Sequence, residues 1–275
     1  DVPLAWPGLA HFLEHLLFLG TERFPASEGL MAYVQRHGGQ VNASTRERTT
    51  DFFFELPRQS FSAGLERLSD MLAQPRMNPD DQLREREVLQ AEFVAWSQDP
   101  RAQQQFALYE GLPTDHPLRG FHAGNRDTLQ VEQPEFQKAL TDFHQQFYRT
   151  GQMSLSLVGP QSLEELKALA EQFSQALPAG DNVTQAATVP LAVKSYQQVS
   201  ERRGNLLFAF DALTESSVEA LAFLCHWLNS AKPGGLLAHL QEQKLADGLK
   251  ATPVYHFNGQ ALLHLEFTAR AESLN

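Results

Sequence analysis

Cysteine is almost absent: the single Cys225 in 275 residues cannot form an internal disulfide, so the fold must rest on packing rather than on covalent cross-links. Cys225 lies in the apolar run Leu221-Ala222-Phe223-Leu224-Cys225-His226-Trp227, which reads as core. Long hydrophobic runs are also missing. No stretch approaches about 18 consecutive apolar residues, the length a membrane-spanning helix needs, and nothing at Asp1 resembles a charged region followed by an apolar signal core. Positive charge is scarce as well. With 22 Lys and Arg against 33 Asp and Glu, the formal net charge of −11 argues against nucleic acid or an anionic membrane as the partner. The chain opens without methionine and reaches its most unusual motif within eleven residues, which points to a fragment of a longer protein.

The hydrophobic content of 42% with 20% charged residues is enough to build a core for one large domain or two ordinary ones. Residues 8–19 are apolar with His11, Glu14 and His15 on one side, the pattern of a buried helix with a polar stripe. A second helix is expected to run from Ser27 or Glu28 to Arg36 and to end at Gly38-Gly39. Residues 40–45 and 50–56 read as a hairpin with the charged tip Arg46-Glu47-Arg48. Helical spacing follows over 60–73, over 80–96 with Asp80 as the cap, over 134–147 and over 162–176; Met153 to Val158 alternates as a strand. The composition shifts after Pro178 to Ala, Gly, Asp, Asn and Thr, which reads as a linker. Beyond it, 195–199, 206–210 and 261–267 look like strands, and 218–228 and 236–243 like helices. The boundaries expected are a first domain over 1–180, a linker over 181–190 and part of a second domain over 191–275.

The chemistry concentrates in His11-Phe12-Leu13-Glu14-His15. Residues four apart on a helix project from one face, so His11 and His15 can present two imidazole nitrogens to one ion, with Glu14 beside them. Two histidines and a carboxylate on a buried stripe would be costly to desolvate without a partner ion. A catalytic zinc takes three protein ligands and leaves one position for water. The third ligand can come from Leu83-Arg84-Glu85-Arg86-Glu87-Val88-Leu89-Gln90-Ala91-Glu92. At about 100° per residue, Glu85 and Glu92 differ by only about 20° and share a face, while Glu87 points about 140° from Glu92 and should meet solvent. Geometry leaves the choice between Glu85 and Glu92 open, one as ligand and the other as its support.

These residues resemble the inverzincins, whose motif has the order His-x-x-Glu-His, and in particular the pitrilysin and insulin-degrading enzyme family. The likeness runs through residues 8–21, Gly38-Gly39-Gln40-Val41-Asn42-Ala43-Ser44-Thr45, 85–92, Gly124-Asn125 and, further on, Pro233-Gly234-Gly235-Leu236-Leu237 and 243–247. Within the family it is nearest the branch serving pyrroloquinoline quinone biosynthesis, on residues 30–36 and 45–57. The resemblance implies an α+β fold of two-layer domains, each a largely antiparallel mixed sheet packed by helices. It implies one Zn2+ held by His11, His15 and Glu92, with Glu85 as the supporting acid and Glu14 as the base. It places Asn42 and Ala43 on an edge strand that takes the substrate peptide as an added strand, and Phe18 near the cleft.

It further implies that the first domain lacks its opening strand here, and that a C-terminal half of the enzyme is needed as a partner. The substrate it points to is a small quinone-precursor peptide, in the cytoplasm, or in the periplasm if the likeness to pitrilysin itself is the better guide. Two other functions fit the same residues. One is a non-catalytic peptide-binding or structural subunit, against which the intact metal motif argues. The other is a zinc hydrolase of another acyl bond, which the expected edge strand makes less suitable.

Overall fold

The computed structural model describes residues 2–181, 188–191, 197–200 and 202–270. It divides into two compact units, Asp1–Ser97 with Phe121–Ala186, and Gln98–Gly120 with Ala187–Asn275. The second unit thus includes an excursion, residues 98–120, that a single boundary at 181–190 does not contain. The expected linker lies largely outside the described residues.

In the first unit, α1 (Leu9–Leu17) is the central helix: Leu9, Phe12, Leu13, Leu16 and Leu17 are all fully buried. Around it stand α2 (Leu30–Arg36), the antiparallel hairpin of β1 (Gln40–Thr45) and β2 (Thr50–Glu55), α3 (Arg58–Ala73), α4 (Pro79–Ser97), α6 (Pro134–Phe147) and α7 (Leu163–Ala176). Helix α2 ends as its glycines require, with Gly38 in the left-handed region at φ +71 and the Gly39 N–H returning to Val34 O. Its start at Leu30 is later than expected. The cap of α4 is Asn78 rather than Asp80: the Asn78 Oδ1 accepts from the Asp80 N–H, and Pro79 occupies the first helical position, where no N–H is needed. Helix α7 opens with the reciprocal Ser162 and Glu165 capping box.

The expected strand at Met153 to Val158 does not form. Met153 and Leu157 pack against the core, but Leu155 is exposed, and the segment faces β2 across an apolar cleft of about 720 Å³ lined by Phe52, Phe54, Leu72 and Phe147. Alternation marks an extended chain, whereas a strand also needs a neighbour close enough to share its hydrogen bonds.

The second unit is a four-stranded antiparallel sheet in the order β3 (Gln197–Ser200), β4 (Arg203–Phe210), β6 (Gln260–Ala269), β5 (Ala246–Phe257). Helices α5 (Pro100–Tyr109), α8 (Glu215–Leu228) and α9 (Leu236–Glu242) belong to it. Two elements had no expectation from sequence. Strand β5 contains Gly248 and Pro253, which break its pattern, and it tolerates them because it is an edge strand, with a register shift between Pro253 and Tyr255. Helix α5 carries the polar run Gln103-Gln104-Gln105, is capped by Asp99 accepting from the Arg101 N–H, and buries Ala102, Leu108 and Tyr109. Cys225 is buried and free, packed with Leu221, Ala251 and Leu263. No helix among the described residues is long and apolar enough to cross a membrane.

Candidate metal centre

Helix α1 packs against α4, which brings the His-x-x-Glu-His turn to the face carrying Glu85 and Glu92. One ligand atom each from His11, His15 and Glu92 lie within 4.8 Å of one another. The Glu92 Oε2 stands 3.8 Å from His11 Nε2 and 3.6 Å from His15 Nε2, and the two imidazoles meet edge to face at 4.8 Å between centroids.

Both rings are fixed from behind. His11 Nδ1 is 2.7 Å from the Ala123 carbonyl oxygen, and His15 Nδ1 is 2.7 Å from Glu85 Oε1. A carbonyl can only accept, and an ionised carboxylate likewise, so each Nδ1 carries the proton and donates, which leaves the Nε2 lone pairs for a ligand. Burial pulls the His15 pKa down, but the hydrogen bond to Glu85 and the charges of Glu92, Glu85 and Glu14 outweigh it and hold the value above the ordinary 6.5. Glu85 therefore stands behind His15, and Glu92 in front of both histidines. Glu87 faces outward, exposed, in an ion pair with Arg126 that lowers its pKa.

Glu14 is buried to 7% exposure on the same turn, and its Oε2 accepts from the Thr45 hydroxyl at the end of β1. Asn42 is exposed and Ala43 half-buried on β1, which among the described residues pairs only with β2 and leaves its other edge open. The Ala43 N–H is taken by the Asn42 side-chain oxygen at 2.9 Å, so an added strand would have to displace that amide. Phe18 is half-buried and packs on Phe52 at 6.0 Å between centroids, joined to the core cluster.

Two supports had no expectation from sequence. Ala123 acts through its backbone, so its side chain carries no signal; the nearest sequence clue is Gly124, the residue that lets this segment approach Gly8. Thr45 sits at the hairpin end, directly opposite Thr50 in the ladder, and hydroxyl residues are common enough in strands to pass unnoticed.

The donor set suits zinc. Ligands about 2.0–2.1 Å from a tetrahedral ion stand about 3.4 Å apart, so the His–Glu separations need only small side-chain shifts.

The family description Insulinase (Peptidase family M16) matches residues 3–119, and Peptidase M16 inactive domain matches residues 137–275. The Coenzyme PQQ synthesis protein F of Pseudomonas protegens is 62% identical over 270 residues, which are 97% of this chain and 33% of that protein. Its counterpart in Pseudomonas aeruginosa is 46% identical over 272 residues, again 97% of this chain and 35% of the relative. Protease 3 of Escherichia coli is 28% identical over 276 residues, covering 94% of this chain and 28% of its own length. The crystal structure of pitrilysin superimposes with a TM-score of 0.85 at 26% identity, over 100% of this chain and 30% of that one. This chain thus spans about a third of the length of the curated relatives it matches. The fold is the α+β fold of pitrilysin, and the two matches, one spanning the His11, His15 and Glu92 cluster and the other running over the C-terminal half, establish that the chain belongs to peptidase family M16.

Proposed function

We propose that this chain carries the zinc centre of a metalloendopeptidase that cuts a small peptide, the precursor of pyrroloquinoline quinone. The observation that carries the reading is the convergence of His11 Nε2, His15 Nε2 and Glu92 Oε2 beside a buried, non-ligating Glu14. The names of the Pseudomonas relatives support the quinone pathway, and the length those relatives have beyond this chain supports a requirement for a further half of the enzyme. The domain extents expected from sequence, 1–180 and 191–275 about a linker, belong to the same proposal.

When bound, zinc supplies Lewis acidity, acidifying a water and polarising the scissile carbonyl. The residues of the chain do the remainder. His11, His15 and Glu92 hold the ion; the Ala123 carbonyl and Glu85 fix the tautomers that make this possible. Glu14 accepts the proton lost by the attacking water and passes it to the departing amine, which requires an acid that is not itself a ligand. Asn42 and Ala43 offer the open edge of β1 to the peptide backbone, and Phe18 lines the apolar side.

The test is metal content and cleavage in one series. Elemental analysis should find near one zinc per chain, lost in Glu92→Gln; Glu14→Gln should keep the zinc and lose cleavage of the precursor peptide in the protein at its full natural length. Turnover by Glu14→Gln comparable to wild type would end the assignment of Glu14. Wild type without zinc would end that of the centre.

A further inference from the structure

A buried carboxylate works better as a base when one of its oxygens is held and the other kept free, and the structure shows what holds Glu14. The Thr45 hydroxyl donates to Glu14 Oε2, and its own oxygen lies 3.1 Å from the Thr50 hydroxyl. The Tyr148 side chain, which is 5% exposed, lines the same cleft as Thr50. The two threonines are the last pair of the β1–β2 ladder, closed by the turn in which the Arg46 N–H returns to Thr49 O. Opposite residues of an antiparallel pair point to the same side, so the hairpin presents both hydroxyls together.

Proton counting orders the contacts. An ionised carboxylate has only lone pairs, so the single Thr45 proton is committed to Glu14. Thr45 can then only accept from Thr50, each hydroxyl having one proton to give. Burial, with the Glu14 charge adding to it and the Thr50 hydroxyl opposing it, raises the Tyr148 pKa well above its ordinary value, so the phenol stays neutral beside the hairpin end.

We propose that Thr45, braced by Thr50, is a positioning residue for Glu14. Its hydroxyl fixes Oε2 and leaves Oε1 to exchange protons with the reacting water and amine. The proposal rests on Glu14 being the base. It assigns the end of β1 a function separate from the peptide-accepting edge at Asn42 and Ala43, because the same short strand would hold the substrate on its edge and the base by its last side chain.

The test compares Thr45→Val, which removes the hydroxyl and keeps the shape, with Thr45→Ser, which restores it, in the full-length protein loaded with zinc. Thr45→Val should retain one zinc per chain and an unchanged KM, with kcat lower by about 10–100-fold, the scale of a misplaced reacting group. Thr45→Ser should recover most of the loss. A second readout needs no activity. In metal-free protein the urea midpoint should fall in Thr45→Val but not when Glu14→Leu is already present, since the partner of the hydroxyl is then gone. An equal fall in both backgrounds, an unchanged kcat in Thr45→Val, or a Thr45→Ser variant as slow as Thr45→Val would each overturn the proposal. If Thr45→Val fails to fold, Thr50→Val carries the same comparison, with a smaller loss of kcat expected and none counting against. A wild-type protein that shows the urea coupling but cleaves no peptide would remove the catalytic reading and reduce the hydrogen bond to a structural one.

Discussion

Gly8→Ala should cripple metal binding from a position that touches no metal ligand. Gly8 precedes α1 in the left-handed region at φ +88, where an L side chain costs about 1–2 kcal/mol. A Cβ there would lie 2.2 Å from Gly124 Cα and 2.5 Å from Gly124 N. Both atoms are backbone, so no rotamer can relieve the overlap, and overpacking of this kind costs about 1–3 kcal/mol more. The loss of stability is therefore on the order of 2–5 kcal/mol. The consequence for the site follows from what stands next in the chain. The Ala123 carbonyl is the acceptor for His11 Nδ1–H, and pushing Gly124 away takes that carbonyl with it. Loss of a partner that orients a metal-binding histidine lowers affinity about 10–100-fold. Urea unfolding in the presence of chelator gives the first quantity, and zinc competition against a chromophoric chelator gives the second. Gly124→Ala is the control: its φ is +75, but its Cβ would meet the Leu129 side chain at 3.2 Å and Gly8 Cα at 3.3 Å, far looser than the 2.2 Å overlap at Gly8, so both losses should be smaller. A Gly8→Ala protein that loses stability but binds zinc as tightly as wild type would refute the link through Ala123.

Glu85→Gln should weaken zinc binding by about 10–100-fold without abolishing it, measured by the same competition, because the amide orients His15 less firmly than a carboxylate does; a loss as complete as in Glu92→Gln would make Glu85 a ligand. Phe12→Ala should destabilise the first unit by about 3–5 kcal/mol in urea, since Phe12 is fully buried in the main core against Phe136. His144 predicts a pH dependence. Burial, partly offset by its hydrogen bond to the Leu72 carbonyl, lowers its folded pKa below 6.5. Between that lowered value and 6.5 the unfolded chain binds more protons, so stability rises with pH through the window and is lost as pH falls below 6.5. Urea midpoints of His144→Gln should show less of this acid-side slope, and an identical slope would assign it to other groups.

What was legible in the sequence is what helix periodicity encodes locally. His11, Glu14 and His15 share a turn whatever surrounds them, and the apolar positions of α1 announce its burial on every other side. Likewise the 20° offset of Glu85 from Glu92 needs only the pitch of α4. Which of the two glutamates faces the histidines depends on how α4 docks on α1, a contact between residues some 70–80 positions apart, and no local pattern in the chain reports it. The mistaken strand at Met153 to Val158 fails for the same reason, because pairing is a property of two segments.

The supports of the site divide along the same line. Glu85 was accessible to reasoning because a carboxylate at the right helical angle is a chemical signal. Ala123 was not, because a backbone carbonyl belongs to every residue and only the approach of Gly124 to Gly8 makes this one special. Thr45 is intermediate: its hydroxyl is chemistry, but it acquires meaning only through the hairpin register that sets it beside Thr50 and the packing of that hairpin on α1. Candidate ligands can therefore be narrowed from one helix at a time, whereas Ala123 and Thr45, which hold His11 and Glu14, come from a loop and a strand end whose contacts exist only after folding. Variants at Gly8, Thr45 and Glu85 perturb those surroundings with the three candidate ligands intact, so their effects on zinc affinity and turnover measure how much of the proposed metal centre is made by the fold and how much by the motif.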